Sequence, residues 1–471
     1  MLWNGPCAEV AWGAGEAGRM ADKKTEPFLV EIAAALHALD QTNPLRIAGR
    51  VKEVTGLVMR ATAPGVRVGE LVYVDSETVP AEAAKPAVGR LRAEVVGFRG
   101  EEIVLLPLGP VARIGPDAVV SPTGRALSIT VGDGLLGRVL DGLGDPMDGR
   151  GPITGNTEEW AVDRPAPDPL RRPRVRRALA LGVRAIDGLL TVGEGQRLGL
   201  FSGAGVGKSV LLGQIARNTE ADVNVICLVG ERGREVAEFV EDSLGAGGRA
   251  RSVVVCATSD APSLVRLKSA FVATAIAEWF RERGRRVLLL MDSLTRFARA
   301  QREVGLAAGE PPARHGFPPS VFGMLPRLLE RAGNSERGSM TALYTVLVAA
   351  DDLQEPIADE ARGILDGHIV LSRALGERHQ WPAIDVLASL SRVMDFVVDE
   401  PHRRAAARVR ELLASYEQKR DLILLGAYQP GSDPRADAAI ARHEAIVAFL
   451  RQERDEICRP ADTRQRLLGL C

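Results

Sequence analysis

A lysine and a serine, Lys208 and Ser209, stand directly after a run of small residues, and that combination can hold a nucleoside triphosphate. In GLFSGAGVGKSVLLGQIAR, Gly199 to Arg217, an apolar run from Leu198 to Phe201 reads as a strand. It stops at Ser202, Gly203, Ala204, Gly205, Val206 and Gly207, and the apolar spacing of Val210, Leu211, Ile215 and Ala216 then reads as a helix. Glycines let successive backbone N–H groups turn toward phosphate oxygens, and the helix N-terminus adds partial positive charge. Lys208 is placed to reach the β- and γ-phosphates and the Ser209 hydroxyl to bind Mg²⁺. Ser202 stands where the usual pattern opens with glycine; it is small enough for the turn but less free in its backbone. The expected ligands of this loop are a nucleoside triphosphate and Mg²⁺.

Two further strand ends carry carboxylates. RVLLLMDSLTRF, Arg286 to Phe297, ends an apolar strand at Asp292, which on a parallel sheet faces the ligand and can hold Mg²⁺ through water. The same aspartate can cap the following helix. CLVGERGREVAEF, Cys227 to Phe239, sets Glu231 just past its strand, where a carboxylate can orient and polarise an attacking water. Arg232 and Arg234 beside it would steady phosphate oxygens, or form an ordinary surface ion pair with a glutamate. Arg392, in LASLSRVMD, follows another apolar run. Alone it says little, but an arginine inserted into a neighbour's site can supply roughly 10³ to 10⁵ in rate to this chemistry.

The elements that must position these groups alternate from about Leu179 onward. Strand candidates are Arg197–Phe201, Val223–Val229, Ser252–Ala257, Val287–Met291, Ala342–Val348 and His368–Leu371, separated by helical patterns. That order predicts a mostly parallel sheet covered on both faces. Upstream, closely spaced runs such as RIAGRVKEVTGLVMRA, ELVYV, LRAEVVGF and EEIVLLPL predict a small β-barrel. The expected architecture is multidomain α/β. Residues 1–27 form a disordered extension in which Met20 is an alternative start. Residues 28–117 hold an amphipathic helix, Phe28 to Leu39, and the barrel; residues 118–178 connect. Residues 179–400 form a RecA-like P-loop domain and residues 401–471 a C-terminal helical domain. The basic run DPLRRPRVRR lacks interleaved aromatics and reads as a solvated linker.

Composition excludes several classes. Sixty basic residues against sixty-one acidic ones offer no general pull toward nucleic acid or anionic lipid, and only 4% of the chain is aromatic. No apolar run reaches the length of a membrane span. The N-terminus lacks a basic start and carries Glu9 and Glu16, unlike a signal peptide. Five scattered cysteines point to a reducing compartment, with Cys227 and Cys256 in apolar runs as core thiols. A cytoplasmic location is expected.

Taken in order, GAGVGKS, GERGREV, MDSLTRFARAQRE, GEPP, ILDGHIVLSR and PAIDVLASLSRVM resemble the ATPase of type III protein secretion systems. That family is similar to the catalytic subunit of the rotary F- and V-type ATPases. The resemblance runs from about Arg46 to Glu453. It implies a homohexamer at the cytoplasmic face of the inner-membrane export apparatus. Its implied partners are a central stalk protein, a peripheral regulator, secretion chaperones and exported proteins, with no nucleic acid. It also implies Lys208 and Ser209 as phosphate and metal ligands, Asp292 as metal carboxylate and Glu231 as the residue activating water. Arg232 would contact phosphate, and Arg392 would be the arginine finger acting across the subunit interface. After Glu400, Pro401 and His402 the rotary enzymes carry a tyrosine that stacks on adenine, and Arg403 stands there instead. Arginine can stack as a cation on a π face.

Within the family, RSVVVCATSD, TRFARAQREVGLAAGEPP, SERGSMTALYTVLV and Arg403 resemble the injectisome branch. GKSVLLGQIAR and KRDLILLGAYQPGSDP lean toward the flagellar exporter. The injectisome is the reading taken and flagellar export the alternative. A subunit of a proton-driven ATP synthase, an RNA translocase similar to the Rho factor, and a non-enzymatic ATP-binding scaffold are the other classes.

Overall fold

The computed structural model describes residues 48–75, 90–111, 114–348 and 352–471. The extension and amphipathic helix expected before residue 40 lie outside these residues.

Strands Gly49–Thr55, Val58–Thr62, Glu70–Asp75, Leu91–Arg99, Glu102–Pro107 and Val119–Ala126 close into a barrel. The pattern behind it is strict alternation. Val72 and Val74 point inward to meet Met59, Ala61, Ala93, Val95 and Leu105, while their chain neighbours face out. The closing strand lies past the boundary at residue 117. Its sequence, VVSPTGRA, carries Pro122 and Gly124 and few apolar residues, and its pairing with Glu70–Asp75 comes from barrel closure.

The main sheet runs in the order Ile384–Ser391, Gly367–Leu371, Arg197–Ser202, Ser339–Leu347, Arg286–Asp292, Val223–Glu231, Ser252–Thr258 and Val139–Asp141; Gly333–Asn334 also pairs with Ser339–Leu347. All six expected strands are present and parallel to one another. Both faces are covered, and the alternation shows it. Val223, Val225, Cys227 and Val229 enter one core, while Ile226 and Leu228 enter the other. Cys227 and Cys256 are buried thiols, and burial pushes the Cys256 thiol up to about 11.

Two strands of this sheet differ from expectation. Val139–Asp141 joins one edge from within the segment read as connecting, because its three residues fall below the length that periodicity detects. Ile384–Ser391 joins the other edge antiparallel to Gly367–Leu371. Helices Glu400–Leu424, Pro434–Leu450 and Pro460–Leu468 end the chain, burying Val409, Leu412, Ile446 and Phe449 against the core that also holds Leu211 and Ile215.

Candidate nucleotide-hydrolysis site

The strand Arg197–Ser202 lies between Gly367–Leu371 and Ser339–Leu347, which fixes where its C-terminal loop emerges. The loop opens into helix Lys208–Asn218 through Gly207, whose φ of +77° is open to glycine and strained for other residues. A side chain at Gly207 would also strike Trp381, since a Cβ there would lie 2.8 Å from the indole. The Ser202 hydroxyl is fully buried with no hydrogen-bond partner, beneath a loop whose Ala204 and Gly205 are exposed.

Three parallel strands end beside this loop. Lys208 donates to Asp292 Oδ1, and its ammonium lies 3.8 Å from Glu231 Oε1. Asp292 also accepts from the Thr345 hydroxyl at 2.8 Å. Glu231 reaches the site because Gly230 takes a φ of +66° and the strand bulges between Val229 and Glu231. Arg296 pairs with Glu231 Oε2 at 2.5 Å and donates to the Gly230 carbonyl at 2.8 Å. The other carboxylate oxygen, Oε1, is buried without a hydrogen bond. Burial, then a hydrogen bond shared with the Glu235 carboxyl and the negative charge of Asp292, push the Glu231 carboxyl up to about 7. A carboxylate poised near neutrality with one free oxygen suits a general base.

Next to the loop lies a cavity of about 550 Å³ lined by Gly205, Gly207, Val210, Trp381, Pro382 and Arg451, among others. Trp381 presents an aromatic face there. The site therefore combines an anion cradle, a cation, two carboxylates and an aromatic wall.

The profile of the ATP synthase alpha/beta family nucleotide-binding domain matches residues 182–391, and that of the T3SS EscN ATPase C-terminal domain matches 398–469. Over 425 residues, 90% of this chain and 93% of the relative, the sequence is 54% identical to the type 3 secretion system ATPase of Xanthomonas euvesicatoria. The chain belongs to the type III secretion ATPase family. The flagellum-specific ATP synthase of Bacillus subtilis is 50% identical over 89% of this chain and 94% of its own length. The solved structure of the assembled ATPase EscN, from the enteropathogenic E. coli type III secretion system, matches with a TM-score of 0.83 at 45% identity. It covers 90% of this chain and 99% of that one. EscN has also been solved in complex with its central stalk EscO, with a TM-score of 0.82. As a member of this family the chain is an ATPase of protein export.

The fold brings Lys208, Asp292 and Glu231 together and leaves Ser209 exposed at the first turn of the loop helix. Val210, expected on the apolar face of that helix, is exposed and lines the cavity. Asp292 is not the cap of the next helix; the Ser293 hydroxyl fills that position by accepting from Arg296 N–H.

Four arginines sit elsewhere. Arg232 is extended (φ −71°, ψ 141°) and largely exposed, paired with Glu235 at 3.0 Å, and Arg234 pairs with Glu238. Arg403 pairs with Glu400 and is absent from the cavity, where the aromatic face belongs to Trp381. Arg392 is exposed and lies at the other end of the sheet.

Sequence reasoning passed over Arg296, Thr345 and Trp381. A signal for Arg296 existed: it follows Asp292 by one helical turn within MDSLTRF, so it returns to the same side. Trp381 also had one, as a tryptophan beside proline between two apolar runs. Thr345 lies inside an apolar strand and had none.

Proposed function

We propose that this chain hydrolyses ATP in a ring of identical subunits to drive protein export through an injectisome. The observation that carries the reaction is the buried, hydrogen-bond-free Oε1 of Glu231 beside Lys208 and Asp292. Glu231 takes a proton from a water as that water's oxygen attacks the γ-phosphorus and the bond to the β-bridging oxygen breaks. Lys208 and the loop amides hold the phosphates in place. Arg296 holds the Glu231 carboxylate by its other oxygen, so the free one faces the substrate. Ser209 and Asp292 form an oxygen-only donor set that fits magnesium, which takes waters and substrate phosphates for most of its shell. Among the described residues no cluster of three or more His, Cys, Asp or Glu could hold a metal unaided, in keeping with an ion that arrives with the nucleotide. Magnesium bound there would neutralise charge building on the phosphoryl oxygens.

The ring reading rests on strand direction. Ser391, just before Arg392, pairs with Gly367, and Ser202 pairs with Leu371 at the opposite end of the same strand. The five residues of Gly367–Leu371 separate the two ends by roughly 13 Å at about 3.3 Å per residue, and the Arg392 guanidinium is held at the far one by the Arg362 carbonyl. Arg392 thus lies too far from its own Lys208 to act there and serves the next subunit, head to tail. A homohexamer closes this arrangement. A central stalk protein, a peripheral regulator, secretion chaperones and exported proteins are the proposed partners. The proposed location is cytoplasmic, against the inner membrane; among the described residues no helix is long and apolar enough to cross a membrane.

Purified chains carrying Lys208→Ala or Glu231→Ala should lose ATP turnover, and normal turnover in both sinks the site. Deletion in the parent organism should abolish contact-triggered secretion and spare swimming. Lost swimming instead assigns the protein to the flagellar exporter, the reading that the Bacillus relative supports.

A further inference from the structure

At the end of the sheet away from the loop, two arginines that form no ion pair among the described residues meet, the side chain of one lying against the backbone of the other. Arg362 sits in the last turn of helix Pro356–Ile364, and Arg392 follows the edge strand directly. Arg392 is tied in place: its N–H donates to the Asp366 carbonyl at 3.0 Å and its guanidinium to the Arg362 carbonyl at 3.4 Å. Three carboxylates of the adjoining elements are engaged elsewhere. Asp366 takes Arg197 through bonds of 3.0 and 3.1 Å, Glu330 takes the same arginine at 2.6 Å, and Asp359 pairs with Arg314 at 3.3 Å. Among the described residues neither Arg362 nor Arg392 forms an ion pair.

His368 reports the same positive field. Burial, followed by the Arg362 charge, holds its imidazole below the ordinary histidine value, and Arg392 acts in the same direction. Like charges that share one end of the sheet repel, and an anion bound between them relieves the repulsion. A transferring phosphoryl group, with its charge spread over three oxygens, is such an anion.

We propose that Arg362 is a second arginine presented in trans, gripping with Arg392 the phosphoryl group of the nucleotide held by the adjoining chain. The inference rests on the head-to-tail ring proposed above. Arg362 is half-exposed at the same end of the sheet as Arg392 and, among the described residues, has no ion pair to give up on docking.

The test is ATP turnover in mixed oligomers of the full chain. Arg362→Ala should lower kcat by about 100-fold, the scale of losing one transition-state donor. It should leave binding of a fluorescent ATP analogue to dilute chains unchanged, and Arg362→Lys should recover part of the loss. Mixing Arg362→Ala with Glu231→Ala chains should restore turnover, because some interfaces then join an intact Glu231 to both arginines. Mixing Arg362→Ala with Arg392→Ala should not, because every contributed edge lacks one arginine.

Rescue in that second mixture would mean that Arg362 serves its own chain's site, which overturns the proposal. So does full activity of Arg362→Ala, or no rescue by Glu231→Ala. Arg362→Gln, run in parallel, must give the same pattern, so a folding defect peculiar to alanine does not decide the outcome. If Arg392→Ala is also not rescued by Glu231→Ala, the head-to-tail reading itself falls. If it is rescued while Arg362→Ala stays fully active, only this inference falls.

Discussion

Replacing Trp381 with alanine separates binding of the base from binding of the phosphates. The indole lies over Gly207, lines the cavity of about 550 Å³ and keeps 40% of its surface exposed. That exposed face is what a nucleobase can cover. Stacking a base on an aromatic ring is worth about 1–3 kcal/mol by alanine substitution, so the Kd for ATP should rise about 5- to 150-fold. The contact is equal in ground and transition states, so KM should rise with kcat preserved. The assay is a titration of ATP, GTP and inorganic tripolyphosphate against both chains. ATP and GTP should weaken together, since every base has a π face, and tripolyphosphate should bind as before. Trp381→Phe should recover most of the loss. Equal weakening of tripolyphosphate would show that the indole merely props the loop through Gly207, and the reasoning would be refuted.

The raised Glu231 carboxyl sets a pH dependence. The base works ionised, so kcat/KM should be flat above about pH 7 and fall tenfold per unit below it. Arg296 draws that value down, so Arg296→Ala should move the acid limb to higher pH as well as lower the rate; an unmoved limb would refute the pairing. A separate prediction concerns stability. Arg331 and Glu278 form a fully buried pair with bonds of 2.8 and 2.6 Å, and the arginine also donates to the Val162 carbonyl at 2.9 Å. Glu278→Ala strands a buried cation and should cost about 3–5 kcal/mol, read from the urea midpoint of unfolding. A shift worth under about 1 kcal/mol would mean that water reaches the site.

The loop, its helix and the two carboxylates were legible because each is encoded in a short contiguous run. Gly205, Gly207 and Lys208 carry their geometry locally. Asp292 and Glu231 end apolar strands, and parallel strands bring all such ends to one side whatever their order. Knowing that the sheet is parallel was therefore enough to place residues far apart in the chain beside one phosphate site.

Side-chain direction and strand direction were not legible. Arg232 adjoins Glu231 in sequence, yet its extended backbone sends it to Glu235, while Arg296 arrives from another helix to take the carboxylate. Arg403 occupies the place that family resemblance links to adenine, but its i,i+3 pairing with Glu400 keeps it on its own helix, and the base-sized face comes from Trp381. Ile384–Ser391 reads the same as a parallel or an antiparallel strand; its reversal carries Arg392 to the far end of the sheet. The chemistry that one chain can hold is written in its local runs. Which arginine meets which carboxylate, and on which edge a residue must await a second subunit, depend on contacts between segments distant in sequence, and no local pattern specifies those.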